Sequence, residues 1–168
     1  SIYFLRKTIK AYKKLPELPP LSWQKVYQYL GKAYLMQNRL DSSEYFFFLA
    51  EKKFQLIENP SKFNLLSLIE LKSNIGLLYL KMNELDKAKD SFSSAVNYAK
   101  RVEHFNPITY LPYYYLGKLA YEQKEFESGL KLIQKSLLPF YPEIDIANYH
   151  HNPPIIFKDI NEEYFFRA

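Results

Sequence analysis

The chain contains no cysteine, so it can form neither a disulfide nor a thiolate metal site. Glycine is scarce, with four in 168 residues, and that scarcity disfavours an all-β fold built on tight turns. No stretch approaches the roughly 18 consecutive apolar residues that a membrane span requires. The longest aromatic run covers only residues 45–48. From these absences we expect a cytoplasmic protein without a membrane span.

Sequence motifs of catalysis are missing as well. The chain has no glycine-rich phosphate loop, no G-x-S-x-G and no H-E-x-x-H. His150 and His151 are adjacent, and neighbouring residues point to different faces of a helix or strand, so they make an awkward metal site. We therefore expect a protein that is not an enzyme and that uses no metal, no cofactor and no small-molecule substrate.

What the chain does contain is apolar bulk in a repeating pattern. Hydrophobic residues make up 48% and aromatic residues 18% of the chain, far too much for a disordered segment. Three of the four glycines, Gly31, Gly76 and Gly117, begin one common spacing. The positions three, twelve, sixteen and nineteen residues later hold Tyr34, Ser43, Phe47 and Ala50 in the first copy, Tyr79, Ala88, Phe92 and Ala95 in the second, and Ala120, Gly129, Ile133 and Ser136 in the third.

The glycines and their spacing predict helical hairpins. A glycine inside a helix destabilises it by about 1 kcal/mol relative to alanine. Because glycine nevertheless recurs at the same position of each repeat, it indicates that two helices approach closely there. Steps of three and four residues place each set of small and aromatic residues on one helical stripe. A turn sequence recurs between the stripes, at residues 38–41, 83–86 and 124–127. In the second of these turns we expect Asp86 to be the helix N-cap.

The pattern resembles the tetratricopeptide repeat, a helix–turn–helix unit of about 34 residues with the signature W-x2-L-G-x2-Y…A-x3-F. The second copy is the strongest match, whereas the third departs from the signature at Ala120 and Ile133. The glycines are 45 and 41 residues apart (76 − 31 and 117 − 76), longer than the usual period. The resemblance implies an all-α fold, a right-handed superhelical array of antiparallel helix hairpins (a TPR-like α-solenoid).

Proline-containing breaks divide the chain. Within a repeat region of residues 21–142, three hairpins are predicted at about residues 22–57, 61–102 and 107–138. Ser22 and Ser61 are expected to cap the first helices of the first two hairpins. Residues 1–14 are interpreted as the second helix of a truncated preceding repeat, and residues 15–20 as a proline-rich linker. Because the chain begins with Ser1 rather than methionine, we expect a fragment of a larger protein.

Charge divides the chain differently. Residues 143–168 contain five acidic and two basic residues, which gives them a net charge of −3. Since the whole chain has a net charge of +5, residues 1–142 have a net charge of +8. The negative charge of residues 143–168 is typical of an acidic tail. The apolar residues at helical spacing in 155–166 instead predict a helix that caps the last hairpin. The alternative is that this segment begins a further repeat.

In the tetratricopeptide repeat family the first helix of each hairpin lines a concave groove that holds a peptide. Alignment on the glycines implies a groove lined by Lys25, Gln28, Tyr29, Lys32, Leu35 and Met36 from the first hairpin, Glu70, Ser73, Asn74, Leu77, Leu80 and Lys81 from the second, and Leu111, Tyr114, Tyr115, Lys118, Tyr121 and Glu122 from the third. Some members clamp a C-terminal carboxylate with lysine, asparagine and arginine. Asn74 matches that clamp, but Gln28, Leu111 and Tyr115 stand where basic residues are expected and Lys32 stands where an asparagine is expected, so we do not expect the clamp here.

Three functions remain open from the sequence. The first is a non-enzymatic scaffold that binds a peptide or protein segment in the groove. The second is the sensing or assembly domain of a larger bacterial transcription regulator or sensor kinase, a hypothesis that rests on analogy. The third is nucleic-acid binding, which ranks last because +5 over 168 residues is modest and no nucleic-acid motif is present.

Overall fold

The computed structural model describes residues 2–12, 14, 18–102, 106–138, 141, 144–148 and 150. This part of the chain contains helices and no strand, so the predicted all-α class is confirmed. The helices are α1 (Ile2–Tyr12), α2 (Pro20–Met36), α3 (Leu40–Phe54), α4 (Lys62–Lys81), α5 (Leu85–Ala99), α6 (Pro107–Glu122) and α7 (Phe126–Leu137). None of these helices is both long and apolar enough to cross a bilayer.

Six of the helices pack as consecutive pairs. Helix α2 packs on α3, α4 on α5, and α6 on α7, while the first helices of the pairs also contact one another, α2 with α4 and α4 with α6. Helix α1 packs on α2. Helix α4 lies between the other pairs, and half of its 20 residues are buried. This packing is consistent with a helical repeat.

The same turn closes all three pairs. The first residue of each recurring turn sequence adopts a left-handed conformation, with φ of 56° at Asn38, 60° at Asn83 and 67° at Lys124. Asparagine tolerates this conformation better than most residues with a β-carbon. In the first turn the Arg39 amide donates to the Tyr34 carbonyl at 3.0 Å, and the equivalent bonds in the other turns are both 2.9 Å. The equivalent geometry explains why the intervening sequences resemble one another.

Helix caps agree with the sequence at one predicted position and differ at two. Ser61 caps α4, where its hydroxyl accepts from the Asn64 amide in a reciprocal capping box. The prediction for Ser22 was wrong, because α2 begins at Pro20 and proline suits the first turn of a helix. Asp86 is not the N-cap either. Helix α5 begins at Leu85, so the Asp86 carboxylate lies in the first turn. There its negative charge interacts favourably with the positive end of the helix dipole.

Each repeated glycine lies against the second helix of its own pair. A β-carbon on Gly31 would overlap the Phe47 ring, and one on Gly76 would lie 2.5 Å from the ring of Phe92. At Gly117 the same atom would lie 2.8 Å from Ile133, with the backbone oxygen of Gly129 at 2.9 Å. The close helix approach expected from the glycines is therefore present in all three pairs.

Two sets of contacts join the pairs. The first joint, between α2–α3 and α4, contains a cluster with Leu35, Phe47 and Leu71 at its centre. The second joint, between α4–α5 and α6, contains two clusters, one around Ile69 and Tyr113 and the other around Phe92, Tyr115 and Leu119. These joints fix the positions of α2, α4 and α6 relative to one another.

The helix bounds can be compared with the predicted segments. Residue 20 lies in α2, and α3, the second helix of the first pair, ends at Phe54. The predicted linker residues 15–17 and the predicted tail helix at 155–166 lie outside the described residues. Of the segment from 143 onward, Ile144 is described as buried and packs with Ile133 and Leu137.

Candidate functional site

An open cleft of about 620 Å³ lies across the first helices of the three pairs. Nine of the described residues line it: Lys32, Leu35 and Met36 from α2, Asn74, Leu77, Leu80 and Lys81 from α4, and Tyr115 and Lys118 from α6. All nine belong to the set that the glycine alignment assigned to a groove. The cleft is therefore built from three separate parts of the chain.

The lining follows the register of the glycines. Counted from the glycine of each pair, every lining residue stands two positions before it or one, four or five positions after it. These steps of three and four residues form one stripe of a helix. Since α2, α4 and α6 turn this same stripe toward the cleft, the repeat in the sequence produces one continuous surface.

Gln28 is a predicted groove residue that is not part of the described lining of the cleft. The residue is only 1% exposed, and its side-chain oxygen accepts from Gln24 Nε2 at 2.6 Å. Gln24 in turn accepts from the Ser67 hydroxyl at 2.7 Å. The position three residues before the glycine thus points toward the neighbouring helix. Ser73, at the equivalent position of α4, is buried as well and donates to the Ile69 carbonyl.

Other predicted groove residues also lie outside the lining of the cleft. The Lys25 ammonium lies 4.4 Å from the centre of the Phe63 ring. Tyr121 packs edge-on against Phe126, with ring centres 5.2 Å apart. Burial, and secondly the charge of Glu70, raises the pKa of Tyr29. The other predicted groove residues that do not line the cleft are Glu70, Leu111, Tyr114 and Glu122.

Asn74 is the most informative residue of the cleft. It is 5% exposed, and its side-chain Nδ2 has no hydrogen-bond partner among the described residues, a property it shares with the buried Nε2 of Gln28. A buried donor without a partner costs about 1–3 kcal/mol of folding free energy, so such groups in proteins require an explanation. A ligand that supplies an acceptor in the cleft would satisfy this donor.

The cleft combines positive charge with an apolar surface. Its basic groups are the ammonium groups of Lys32, Lys81 and Lys118, one from each first helix, and none of the nine described lining residues is a carboxylic acid. Leu35, Met36, Leu77 and Leu80 are the aliphatic members of the lining, and Met36 is 79% exposed. A site of this kind can hold an apolar group whose neighbours carry negative charge.

A second pocket, of about 340 Å³, lies between α3 and α4 and was not predicted. Asp41, Glu44 and Glu51 place carboxylates there, beside the exposed rings of Tyr45 and Phe48. The signal was present in the sequence, because 41, 44, 48 and 51 form one helical stripe. Two of these acids already have partners: Glu51 pairs with Lys72, and Glu44 accepts from the hydroxyl of Tyr79 at 3.3 Å.

Comparison with models of known protein families, with curated protein sequences and with solved structures finds no match for this chain. The functional interpretation therefore depends on the residues and the geometry of the chain itself.

Proposed function

We propose that the chain is a non-enzymatic scaffold whose three helix pairs stack as a right-handed superhelical array of the tetratricopeptide kind and bind a segment of another protein in the cleft. The proposal is supported by the glycine-centred register, which recurs in the three pairs, and by the common turn that closes them. In this arrangement the first helices form the recognition surface. The second helices support them from behind.

The unpaired amide of Asn74 is the observation that carries the proposal. A polypeptide presents one carbonyl acceptor per residue. A segment that lies along α4 can therefore accept a hydrogen bond from Asn74 whichever of its side chains contact the cleft. The apolar groups around Asn74 exclude water from the hydrogen bond and so strengthen it. Asn74 would then bind the main chain of the segment, and the surrounding leucines would bind its side chains.

Site-specific photo-crosslinking in the source cell tests the location of the site. A crosslinking amino acid replaces Met36, which is in the cleft and 79% exposed, or Leu56, which is outside the cleft and 60% exposed. Both positions tolerate substitution because neither side chain is buried. We expect a discrete adduct with another protein from position 36 only. Adducts of equal yield from position 56, or none from position 36, would contradict the proposal.

Asn74→Leu is predicted to weaken crosslinking from position 36 while leaving the protein at least as stable. The change removes a buried donor that has no partner in the free protein, so the free energy of unfolding should rise by up to about 1 kcal/mol. Binding should fall because the donor to the segment is lost. Urea denaturation measures the first effect and adduct yield the second. A variant that is less stable and crosslinks normally would show that Asn74 has a structural role only.

A further inference from the structure

We infer that copies of this chain associate head to tail, with the outer face of α1 in one copy docked antiparallel on the outer face of α3 in the next. The outer face of α1 consists of Tyr3, Phe4, Lys7 and Lys10. The outer face of α3 consists of Asp41, Glu44, Tyr45 and Phe48. Neither face belongs to the cleft, so this association goes beyond the proposed function.

The outer face of α1 carries two exposed rings and two lysines. Tyr3 is 68% exposed and Phe4 is 66% exposed. Lys7 and Lys10 are exposed as well, and neither has an ion pair or a hydrogen bond with another described residue. Helix α1 packs on α2 through its opposite side, which contains Tyr12. The rings and the ammonium groups therefore lie on the side of α1 that faces away from α2.

The outer face of α3 is aromatic too, but it has the opposite charge. Tyr45 and Phe48 are 58% and 51% exposed, and they border the open pocket of about 340 Å³ between α3 and α4. Asp41 and Glu44 place their carboxylates beside the same pocket, and Asp41 has no ion pair within the described part of the chain. Exposed rings of this kind mark surfaces at which a protein contacts a partner.

The spacing of the side chains is the same on both faces but runs in opposite directions. The two lysines of α1 follow Tyr3 by four and seven residues. On α3, Glu44 and Asp41 precede Phe48 by four and seven residues. Because both helices rise by about 1.5 Å per residue, an antiparallel arrangement with Tyr3 opposite Phe48 brings one ammonium group to each carboxylate. A parallel arrangement would instead place Tyr3 against Asp41 and the lysines against the rings.

The charges around α3 are compatible with this arrangement. The docked pairs are Lys7 with Glu44 and Lys10 with Asp41. Glu44 already accepts from the Tyr79 hydroxyl at 3.3 Å, but a carboxylate can accept more than one hydrogen bond. The Lys52 ammonium lies 4.4 Å from the centre of the Phe48 ring. Since Lys52 stands one turn beyond Phe48, on the side away from both acids, it does not oppose the docked lysines.

A second copy of the chain is the occupant that these faces favour. Within one molecule α1 contacts α2 and no other described helix, so its outer face cannot reach α3 of the same copy without leaving α2. Each copy supplies one face of each kind, and their charges are complementary. A contact between two different surfaces builds a ring or an open chain of copies. We expect this contact to be weak, because it buries a single helix face on each side.

Light scattering by the whole chain tests the association. We expect the average mass to rise above that of one copy as the concentration increases to about 1 mM. Lys7→Glu with Lys10→Glu should weaken the association about tenfold or more, because like charges then face each other. A parent chain that keeps the mass of one copy at every concentration would overturn the inference.

A charge-matched control separates docking from a general charge effect. Lys100→Glu with Lys124→Glu makes the same change in net charge at exposed positions outside both faces. Its effect on the association should stay within about twofold, because distant exposed charges are screened. Equal losses in this control and in Lys7→Glu with Lys10→Glu would overturn the inference.

Mixing two charge-reversed variants is the sharpest test. Asp41→Lys with Glu44→Lys reverses the face on α3, so this variant alone should also lose the association about tenfold or more. Mixed with Lys7→Glu, Lys10→Glu, it should associate again, because each chain then meets opposite charges on the other. Circular dichroism shows that each variant is folded, and Asp41→Lys alone replaces the double variant if that does not fold. No recovery on mixing folded variants would overturn the inference.

The absence of cysteine from the chain allows the direction of docking to be tested. A Tyr3→Cys chain mixed with a Phe48→Cys chain should form an intermolecular disulfide under gentle oxidation. Asp41→Cys in place of Phe48→Cys should crosslink several-fold less. Residue 41 lies about 10 Å farther along α3, whereas a disulfide requires α-carbons within about 7 Å. Stronger crosslinking at position 41 than at position 48 would overturn the antiparallel arrangement.

The same variants distinguish a lipid surface from a second copy. Vesicles of phosphatidylcholine and phosphatidylserine are mixed with the parent chain and with Lys7→Glu, Lys10→Glu. We expect the parent to associate with itself whether or not it binds them. Vesicle binding that the variant loses, from a parent chain that keeps the mass of one copy, would overturn the inference and assign the outer face of α1 to anionic lipid.

Discussion

Both joints between the helix pairs contain buried apolar clusters, but they differ in their buried polar groups. The first joint buries Gln24, Gln28 and Ser67 in one chain of hydrogen bonds and adds the partly buried pairs Lys72–Glu51 and Tyr79–Glu44. The second joint is centred on apolar side chains, with Phe92 stacked on Tyr115 at a ring-centre distance of 5.2 Å. Polar contacts of Lys89 with Gln123 and Glu125 lie at its exposed edge.

Because of this difference, the two joints should contribute differently to the stability of the fold and to the alignment of its helices. Burial of apolar area stabilises the second joint but allows helices to slide, since one aliphatic contact can replace another. A buried amide must meet its partner or remain unsatisfied, so the first joint disfavours any shift of α2 along α4. Both joints determine whether the stripes of α2, α4 and α6 align to form the cleft. We therefore expect substitutions at the second joint to reduce stability most, and those at the first to disturb alignment.

Phe92→Ala is predicted to have the largest effect. The ring is fully buried, stacks on Tyr115 and covers Gly76, so its removal leaves a cavity at the second joint. The expected loss is about 3–5 kcal/mol of unfolding free energy, measured by urea denaturation. Phe126→Ala, at a ring that is 55% exposed, is the control and should change stability by less than about 0.5 kcal/mol. Similar losses in both variants would refute the apolar second joint.

Gly76→Ala tests the close approach inside the middle pair. The new methyl group would meet the Phe92 ring, and overpacking of this kind costs about 1–3 kcal/mol. Alanine regains about 1 kcal/mol of helix propensity, so the net loss in thermal or urea unfolding should be smaller than for Phe92→Ala. Gly31→Ala is the matched variant, because its methyl group would meet the Phe47 ring in the same way. A stabilised Gly76→Ala protein would show that the helices are farther apart.

Gln24→Leu should destabilise the first joint by about 1–3 kcal/mol, because it leaves the Ser67 hydroxyl and the Gln28 side chain without their partner. Replacement of the whole network, with Gln24→Leu, Gln28→Leu and Ser67→Ala, should recover most of that loss or exceed the stability of the parent. Chemical denaturation measures both variants, and NMR spectra of the cleft report alignment. A triple variant that is less stable than the single variant would contradict a role in register.

The sequence predicted the helix pairs well because their signals are local. The glycines, the turn asparagines and the stripe through Phe92 lie close enough along the chain to be compared directly. The same register selected all nine lining residues but also included Gln28 and Ser73. Whether the position three residues before the glycine faces a cleft or a neighbouring helix depends on the angle between pairs, and that angle arises from long-range contacts such as Ser67 with Gln24.

Glu44→Gln is predicted to have the smallest effect, on the titration of Tyr79 at the first joint. Burial raises the pKa of Tyr79 above its ordinary value of 10.0, and the charge of Glu44 with its hydrogen bond raises it further, while Lys87 opposes them. The neutral phenol is thus favoured in the folded state. Its contribution to stability is complete below the unfolded pKa and is lost as the pH rises through the folded pKa.

The neutral amide introduced by Glu44→Gln would remove the charge and so lower the pKa of Tyr79 toward its ordinary value. NMR titration of ¹³C-labelled tyrosine measures this pKa. Asp41→Asn on the same helix is the control, since Asp41 is not among the groups that shift Tyr79. An unchanged pKa in Glu44→Gln would mean that burial alone sets it and that α3 and α4 are not linked through this pair. The polar character of the first joint would then be confined to its buried amides.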